Sequence, residues 1–472
     1  MTATRRLLDF AATDHRLPGS TRAAALRLLA DTLAGGAAGA ASDEAQQMLA
    51  AVRGWGAGEE ARLLGSPRSA YPELVEGSSF SSATEKKDRA STGSAQTDHS
   101  SGGSRLPAPS AAFFNGFAIH CLEWDAVHEP AVVHALSVVT AALLAASDRK
   151  GGSDPDAFLA ALAVGVDIAS GMGVAATGAM QFFRPATAGV IGAAVAVARL
   201  EGLPPDRFAD VLGLAYSQAA GTMQAHVEAS VALPLQIAHA ARAAITAVDL
   251  ARAGMDGPHD ALEGPFGYFE LFEPGNLAHY TGSIGGRWLI EEVSIKPFPS
   301  GRASHGVLGT IDGMLRAGEL DPKAVQSVDV AAPPLINRLV GRPYKPDMAP
   351  SYARLCLAFL VPLLLRDGIV NPACFTPEQF ADPALSALGG KVSVRLDDNP
   401  DPNALAPQQL TIMLKNGGHI AREITGNLGS PEAPMSADQA AAKYDLCHTL
   451  ASSDADRRLF DDPLSYATEP RP

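Results

Sequence analysis

Residues 159–179 read LAALAVGVDIASGMGVAATGA, the most apolar run of the chain. Its length alone would suit a bilayer span. Asp167 at its middle, and Ala and Gly where a span favours Leu and Ile, point instead to a helix buried inside a protein. Working outward, the same texture recurs. Leu26, Leu29, Ala30 and Leu33 follow the i, i+3, i+4, i+7 spacing of an amphipathic helix over 21–33, which Gly35-Gly36 is expected to end. After Pro204-Pro205, Phe208, Val211, Leu212 and Ala215 mark another helical face, with Gly221 expected at its end. Small side chains let such helices approach closely, so the first 268 residues are read as a large all-helical domain. At 472 residues, 47% hydrophobic and 19% charged, the chain has apolar material for more than one such unit.

The periodicity changes beyond about residue 264. Val328 and Val330, then Val392, Val394 and Leu396, then Leu410, Ile412 and Leu414 alternate with polar residues, and Asn416-Gly417-Gly418 has the composition of a hairpin turn. An apolar run at 352–366 suits a helix on that sheet. The class expected is therefore mainly α: a helical domain over 1–268, a smaller α+β domain over 269–425, and a helical segment over 426–472 returning to the first domain. Residues 66–105, rich in Ser, Thr, Gly and charge, are expected to form a flexible insertion.

Several function classes are disfavoured at this level. Lys plus Arg number 37 against 51 for Asp plus Glu, and a net charge of −14 argues against a nucleic-acid partner. Cys121, Cys356, Cys374 and Cys447 are scattered without zinc or disulfide spacing, which fits a reducing compartment. Arg5 and Arg6 are followed by Asp9 and Asp14 rather than by the apolar core of a signal peptide, so a cytoplasmic location without membrane attachment is expected. Phosphate-cradling glycine loops, H-E-x-x-H and G-x-S-x-G are all missing, which argues against nucleotide cofactors, and no metal is expected.

The chemistry-bearing stretch is Asn115 to His134, which places His120, His128 and His134 beside Glu123, Asp125 and Glu129 in a chain with only 12 histidines. Pro130 disfavours one continuous helix, so the acids and imidazoles are expected in a loop, with His134 opening the next helix. There it would lie beside free N–H groups that attract a carboxylate. The bland alternative is that Glu123 and Asp125 cap helices and His120 is a satisfied core histidine. Two further junctions, Phe183-Arg184-Pro185 and Lys296-Pro297-Phe298-Pro299-Ser300-Gly301-Arg302, each place a cation just before a helix. Converging, the three would form a cleft for a small molecule with more than one carboxylate; singly, each cation is an ordinary surface charge.

Taken in order, Asp31-Thr32-Leu33-Ala34-Gly35, the Asn115–His134 stretch, Thr187-Ala188-Gly189, Leu250-Ala251-Arg252-Ala253-Gly254, Leu262-Glu263-Gly264-Pro265-Phe266-Gly267 and Lys296-Pro297-Phe298-Pro299 with His305 resemble the MmgE/PrpD family. That resemblance implies a helical domain with an α+β lid, the active site between them, homodimers, no cofactor and a lyase acting on small polycarboxylates. The nearest activity it implies is that of a 2-methylcitrate dehydratase-like hydro-lyase. A decarboxylase or isomerase of a related unsaturated acid, or a catalytically silent carboxylate-binding member, are the alternatives. It also assigns roles: His134 as main acid/base, with Asp125 or Glu123 orienting it and His128 retained nearby; Arg184, Lys296 and Arg302 binding carboxylates; Ser300 and His305 completing the binding side. The chain departs from the family pattern at Glu123, Ala126, Ala135-Leu136, Phe183 and Ser300-Gly301, and has Leu233 and Gln236 where the family carries a lysine and a histidine, with His226 and His239 close by in sequence.

Overall fold

The computed structural model describes residues 2–65 and 104–470. Most of the 66–105 insertion lies outside the described residues; its last residue, Arg105, pairs with Arg62 in a two-residue ladder. The chain is mainly α-helical. The run at 159–179 belongs to the helix Pro155–Ala175, which is long and apolar enough to cross a membrane but is here enclosed by other helices, with Asp167 fully buried. Asp167 keeps two hydrogen bonds in that setting, from Tyr280 Oη at 2.7 Å and the Leu289 amide at 2.7 Å. Burial pushes its carboxyl up to about 7, against those two bonds.

The first helical rhythm is longer than its glycines suggest. The helix Gly19–Ala40 runs straight through Gly35-Gly36, which do not end it. Gly36 and Gly39 are where neighbouring segments meet: a Cβ on Gly39 would lie 1.9 Å from the Ala118 carbonyl oxygen, and one on Gly36 would meet Leu64 and Ile119 at under 3 Å, whereas one on Gly35 would meet nothing within 4 Å. The glycines permit close approach of Ala108–His120 rather than termination, which local sequence alone does not distinguish. Likewise Phe208–Tyr216 stops well before Gly221, and the expected helix over 352–366 is two pieces, Pro350–Ala353 and Leu357–Asp367. Cys356 between them is extended and bridges to Gly341.

Two apolar cores result. The larger is built by Gly19–Ala40, Ala108–His120, Ala135–Arg149, Pro155–Ala175, Gly189–Leu200 and Ala232–Arg252. The second surrounds a four-stranded sheet in which Val325–Ala332 pairs in parallel with Val392–Leu396 and antiparallel with Gln408–Leu414, itself paired with His419–Ile424. Val328, Val330, Leu410 and Ile412 are the buried alternate residues, as period-two spacing requires. Gly417 has φ +85° in the hairpin turn. The helix Ala437–Leu450, opened by a capping box between Ser436 and Gln439, packs against Gly19–Ala40, where Lys443 Nζ meets Asp31 at 2.5 Å.

What positions the site is the seam between the cores. Val127–His128 pairs antiparallel with Val293–Ser294, tying the loop after Ala108–His120 to the segment that carries Lys296.

Candidate active site

The helix Ala108–His120 delivers His120 at its last turn, and the chain then reverses through Glu123, a non-glycine residue with φ +54°. A second left-handed residue, Val132 at φ +53°, precedes His134, which caps the helix Ala135–Arg149. Left-handed backbone is costly for a β-branched residue, and it occurs here where the chain must aim side chains. The outcome is a ring of groups around Asp125. Its Oδ2 accepts from His120 Nδ1 at 2.9 Å, lies 3.0 Å from His134 Nδ1 and accepts the Ser137 hydroxyl from the first turn of the following helix. Lys296 Nζ completes the ring, 3.7 Å from Asp125 Oδ1 and 3.2 Å from Glu123 Oε2, while also donating to the Glu123 carbonyl at 3.1 Å. The two imidazoles stand edge to face, centroids 5.0 Å apart.

Each of these groups is buried, and their charges decide their protonation. Burial alone would raise the Asp125 carboxyl, but His120, His134 and Lys296 outweigh it and hold the group well below the usual range. Glu123 follows the same logic, with Lys296 the strongest of the charges opposing burial, and falls to about 2. The histidines part company. His120, between Asp125 and Glu123, is raised despite the opposing effect of burial. His134 is lowered, because burial and Lys296 outweigh the single carboxylate it faces. The surroundings therefore favour the charged form of His120 and the neutral form of His134. Both Nδ1 atoms face Asp125, and His120 Nε2 lies 3.6 Å from Glu123 Oε1 on its other side.

Both rings line a cavity together with Glu123, His226 and Arg302. A second cavity, carrying Glu44, Ser351 and Arg354, shares His120, Glu123, Leu233 and Leu355 with it, so the cluster is reached from two sides. Arg302 sits in a short turn before the helix His305–Arg316. Its Nη2 donates to Glu129 Oε1 at 2.6 Å and its Nη1 to His305 Nδ1 at 3.1 Å, while Nε is buried without a hydrogen-bond partner. Glu129 is gripped from three directions, by Arg302, Ser294 and Asn427.

Four expected site residues are not in this cluster. His128 is fully buried away from Asp125, with Nδ1 accepting from the Ala131 amide at 3.2 Å and Nε2 lying 3.6 Å from Glu292; one strand residue beyond Val127 sends its ring to the other face. Arg184 is no free cation: its Nε meets Glu273 Oε2 at 2.6 Å, both side chains are buried, and its remaining donors go to the carbonyls of Ala131 and Gly178. Ser300 and His305 support Arg302 from behind. The Ser300 hydroxyl bonds Ser304 at 2.9 Å and His305 Nε2 at 3.2 Å, and His305 Nε2 also reaches the Ser300 carbonyl at 3.1 Å. Burial, then Arg302 and Lys296, push His305 well below its ordinary value, so it stays neutral and accepts from Arg302.

Two residues that the sequence reading did not place in the site belong there. His120 is a cluster member rather than a plain core histidine; its signal was its spacing from Glu123 and Asp125. His226, buried in Gln224–Glu228 on the cavity wall, is lowered to about 4 by burial and by Arg342, whose Nη2 donates to the His226 carbonyl at 2.9 Å and lies 3.4 Å from its Nδ1. Nothing in its local sequence marks it.

His120, Asp125 and His134 offer three ligand atoms within 4.8 Å of one another, a spacing a metal ion could bridge. Against that use, His120 Nδ1 is hydrogen-bonded to the carboxylate and the Lys296 ammonium already supplies positive charge at its other oxygen. Two imidazoles on one carboxylate, lining one cavity, are an arrangement that can exchange protons with a bound molecule.

Comparison with known proteins agrees. The model of the MmgE/PrpD N-terminal domain matches residues 79–281 and that of the MmgE/PrpD C-terminal domain matches 298–461, and the chain belongs to this family. It is 26% identical over 363 residues to cis-aconitate decarboxylase of Homo sapiens, covering 72% of each chain. Cis-aconitate decarboxylase of Aspergillus terreus is 28% identical over 384 residues, 75% of this chain and 76% of the relative. A cis-aconitate decarboxylase-like protein of Aspergillus oryzae is 31% identical over 230 residues, 45% of this chain and 48% of the relative. The family and these relatives are of lyase type.

Proposed function

We propose that the chain is a cofactor-independent lyase that moves a proton at the carbon beside a carboxylate of a small organic acid, with a dehydratase-like elimination as its reaction. The observation that carries this reading is the pair of imidazoles on one carboxylate, His120 Nδ1 at 2.9 Å and His134 Nδ1 at 3.0 Å from Asp125 Oδ2, with the first ring shifted toward its charged form and the second toward its neutral form. In an elimination, His134 Nε2 takes the carbon-bound proton and the His120 imidazolium hands its Nε2 proton to the departing hydroxyl. Asp125 keeps both rings in the required tautomer, and the Lys296 and His120 charges offset Glu123 and Asp125, so the buried cluster is neutral before substrate binds. The sheet-bearing part, 269–425, then acts as a lid that brings Lys296 and Arg302 onto the helical part.

Decarboxylation is the second reading, favoured by the names of the relatives. There only the donor is needed: His120 protonates the carbanion left when carbon dioxide departs. Proton NMR of a panel of hydroxy acids and unsaturated acids in deuterated water separates the two. Elimination is expected to show loss of water and exchange at one carbon, decarboxylation to show deuterium incorporated where carbon dioxide was lost. A panel in which no acid turns over or exchanges would overturn both.

A further inference from the structure

Asp31-Thr32-Leu33-Ala34-Gly35 opens the series of family-like motifs, yet none of its side chains enters the chemistry proposed above. The structure gives its acid a different task. Asp31, on the helix Gly19–Ala40, faces Lys443 on the helix Ala437–Leu450, and Lys443 is buried. Lys443 Nζ donates to Asp31 Oδ1 at 2.5 Å and to the Trp124 carbonyl oxygen at 3.2 Å, and it lies 5.4 Å from the centroid of the Trp124 ring. The indole Nε1 is buried without a hydrogen-bond partner, so Trp124 is held through its carbonyl and its ring face. That carbonyl belongs to the peptide unit joining Trp124 to Asp125, the residue on which both imidazoles meet.

Two buried lysines therefore take consecutive carbonyls of the reactive loop. Lys296 donates to the Glu123 carbonyl at 3.1 Å from the seam between the cores, and Lys443 donates to the Trp124 carbonyl from the C-terminal segment. Beside them lies the left-handed turn at Glu123, φ +54°, a conformation that a non-glycine residue keeps only where its surroundings enforce it. Releasing the Trp124 carbonyl would leave a buried acceptor unpaired and let the turn relax. Asp31 supplies the counter-charge that a buried ammonium needs, and Asp125 and Arg27 are the other charges acting on it. As a pair, Asp31 and Lys443 add no net charge, so their effect on Asp125 is one of placement.

We propose that Lys443, anchored by Asp31, is a positioning residue of the reactive site: it fixes the peptide before Asp125 and so sets that carboxylate between His120 and His134. It touches neither substrate nor reacting atoms. The proposal rests on the reading of the Asp125 cluster as the reactive site.

The test uses ring-labelled histidines in the full chain, titrated by NMR, alongside steady-state kinetics on any acid that turns over. Asp31→Asn combined with Lys443→Met removes the pair without stranding a charge. The His120 midpoint is then expected to fall by about one pH unit or more, a tenfold change in its protonation, because Asp125 is the strongest of the charges that raise it. Turnover should fall by about 10²-fold with KM nearly unchanged, the scale of a small misplacement of reacting groups. Lys443→Arg, whose fork can reach Asp31 and the carbonyl together, should keep most of the native His120 midpoint. A native His120 midpoint in the folded double variant would overturn the proposal and leave the pair a purely structural one. Failure of Lys443→Arg to preserve the midpoint, in a protein of native stability, would also count against it. Should the double variant fail to fold, Lys443→Gln takes its place with the same expected shift. Native protein that turns over no acid would remove the lyase reading, while the titrations still decide whether Lys443 places Asp125.

Discussion

The stretches 120–134 and 296–305 look alike in sequence, each a proline-containing junction with imidazole and charge leading into a helix, yet they do different work. The first sends His120, Glu123, Asp125 and His134 to one point, because left-handed turns at Glu123 and Val132 fold it back on itself. The second delivers Lys296 to that point and Arg302 to the cavity wall, but turns Ser300 and His305 away, where they support Arg302. Reactive residues are thus grouped by local backbone reversal on the helical side, while the sheet side contributes counter-charges and supports. Arg184 shows the limit of the resemblance between junctions: its sequence matches the pattern, and its charge is absorbed by Glu273.

The largest effects should come from the reactive side. His134→Gln is expected to lower turnover by about 10² to 10⁴-fold with little change in ligand affinity, since a positioned base contributes on that scale; steady-state kinetics with calorimetry on the same variant separates the two, and wild-type turnover would remove His134 from its role. Asp125→Asn should lower turnover on a similar scale and also narrow the pH range. With His134 lowered and His120 raised, activity in the native protein should fall on the acid side as His134 gains a proton below 6.5 and on the alkaline side as His120 loses one above 6.5. Stability has its own sign. Asp125 is held below its ordinary carboxylate value, so its contribution is fully present above about pH 4 and lost as pH falls further, which urea titrations between pH 5 and 2 would record.

Removing a merely structural cation should look different. Arg184→Met leaves Glu273 buried without its partner and is expected to cost about 3–5 kcal/mol of stability, with the ratio of turnover to KM unchanged in the folded fraction; Arg184→Met combined with Glu273→Gln should recover most of the loss. A weakened acid affinity without loss of stability would instead return Arg184 to the binding site. Smaller again is Gly39→Ala, where a Cβ would sit 1.9 Å from the Ala118 carbonyl, with an expected cost of about 1–3 kcal/mol in chemical denaturation. The exposed pair Arg395–Asp329, at 2.9 Å, should matter least: Arg395→Ala is expected to cost about 0.2–1 kcal/mol and to lose even that in high salt.

Much of the helical architecture could be read from residue spacing, because the buried alanine and leucine faces repeat at the helical period whatever surrounds them. Gly35-Gly36 has the composition of a stop, yet Gly36 serves a close crossing, and only the partner helix tells the two uses apart. Within the site, Asp125 and His134 were legible because they lie on one short loop. The partners that settle the cations were not: Glu273 is remote in sequence from Arg184 and meets it inside the larger core, and Glu129 is remote from Arg302 and meets it only where the two cores join. His226 likewise enters the site from a segment whose local sequence carries no chemical signature.

The proposed chemistry needs two imidazoles that share one carboxylate to be shifted in opposite directions. The direct measurement is an NMR pH titration of ring-labelled histidines, assigned with His120→Gln and His134→Gln. His134 is expected to titrate below 6.5 and His120 above it, so that at pH 6.5 the first is neutral and the second charged. Titration in the reverse order, or of both rings together at 6.5, would contradict the division of labour proposed for the site.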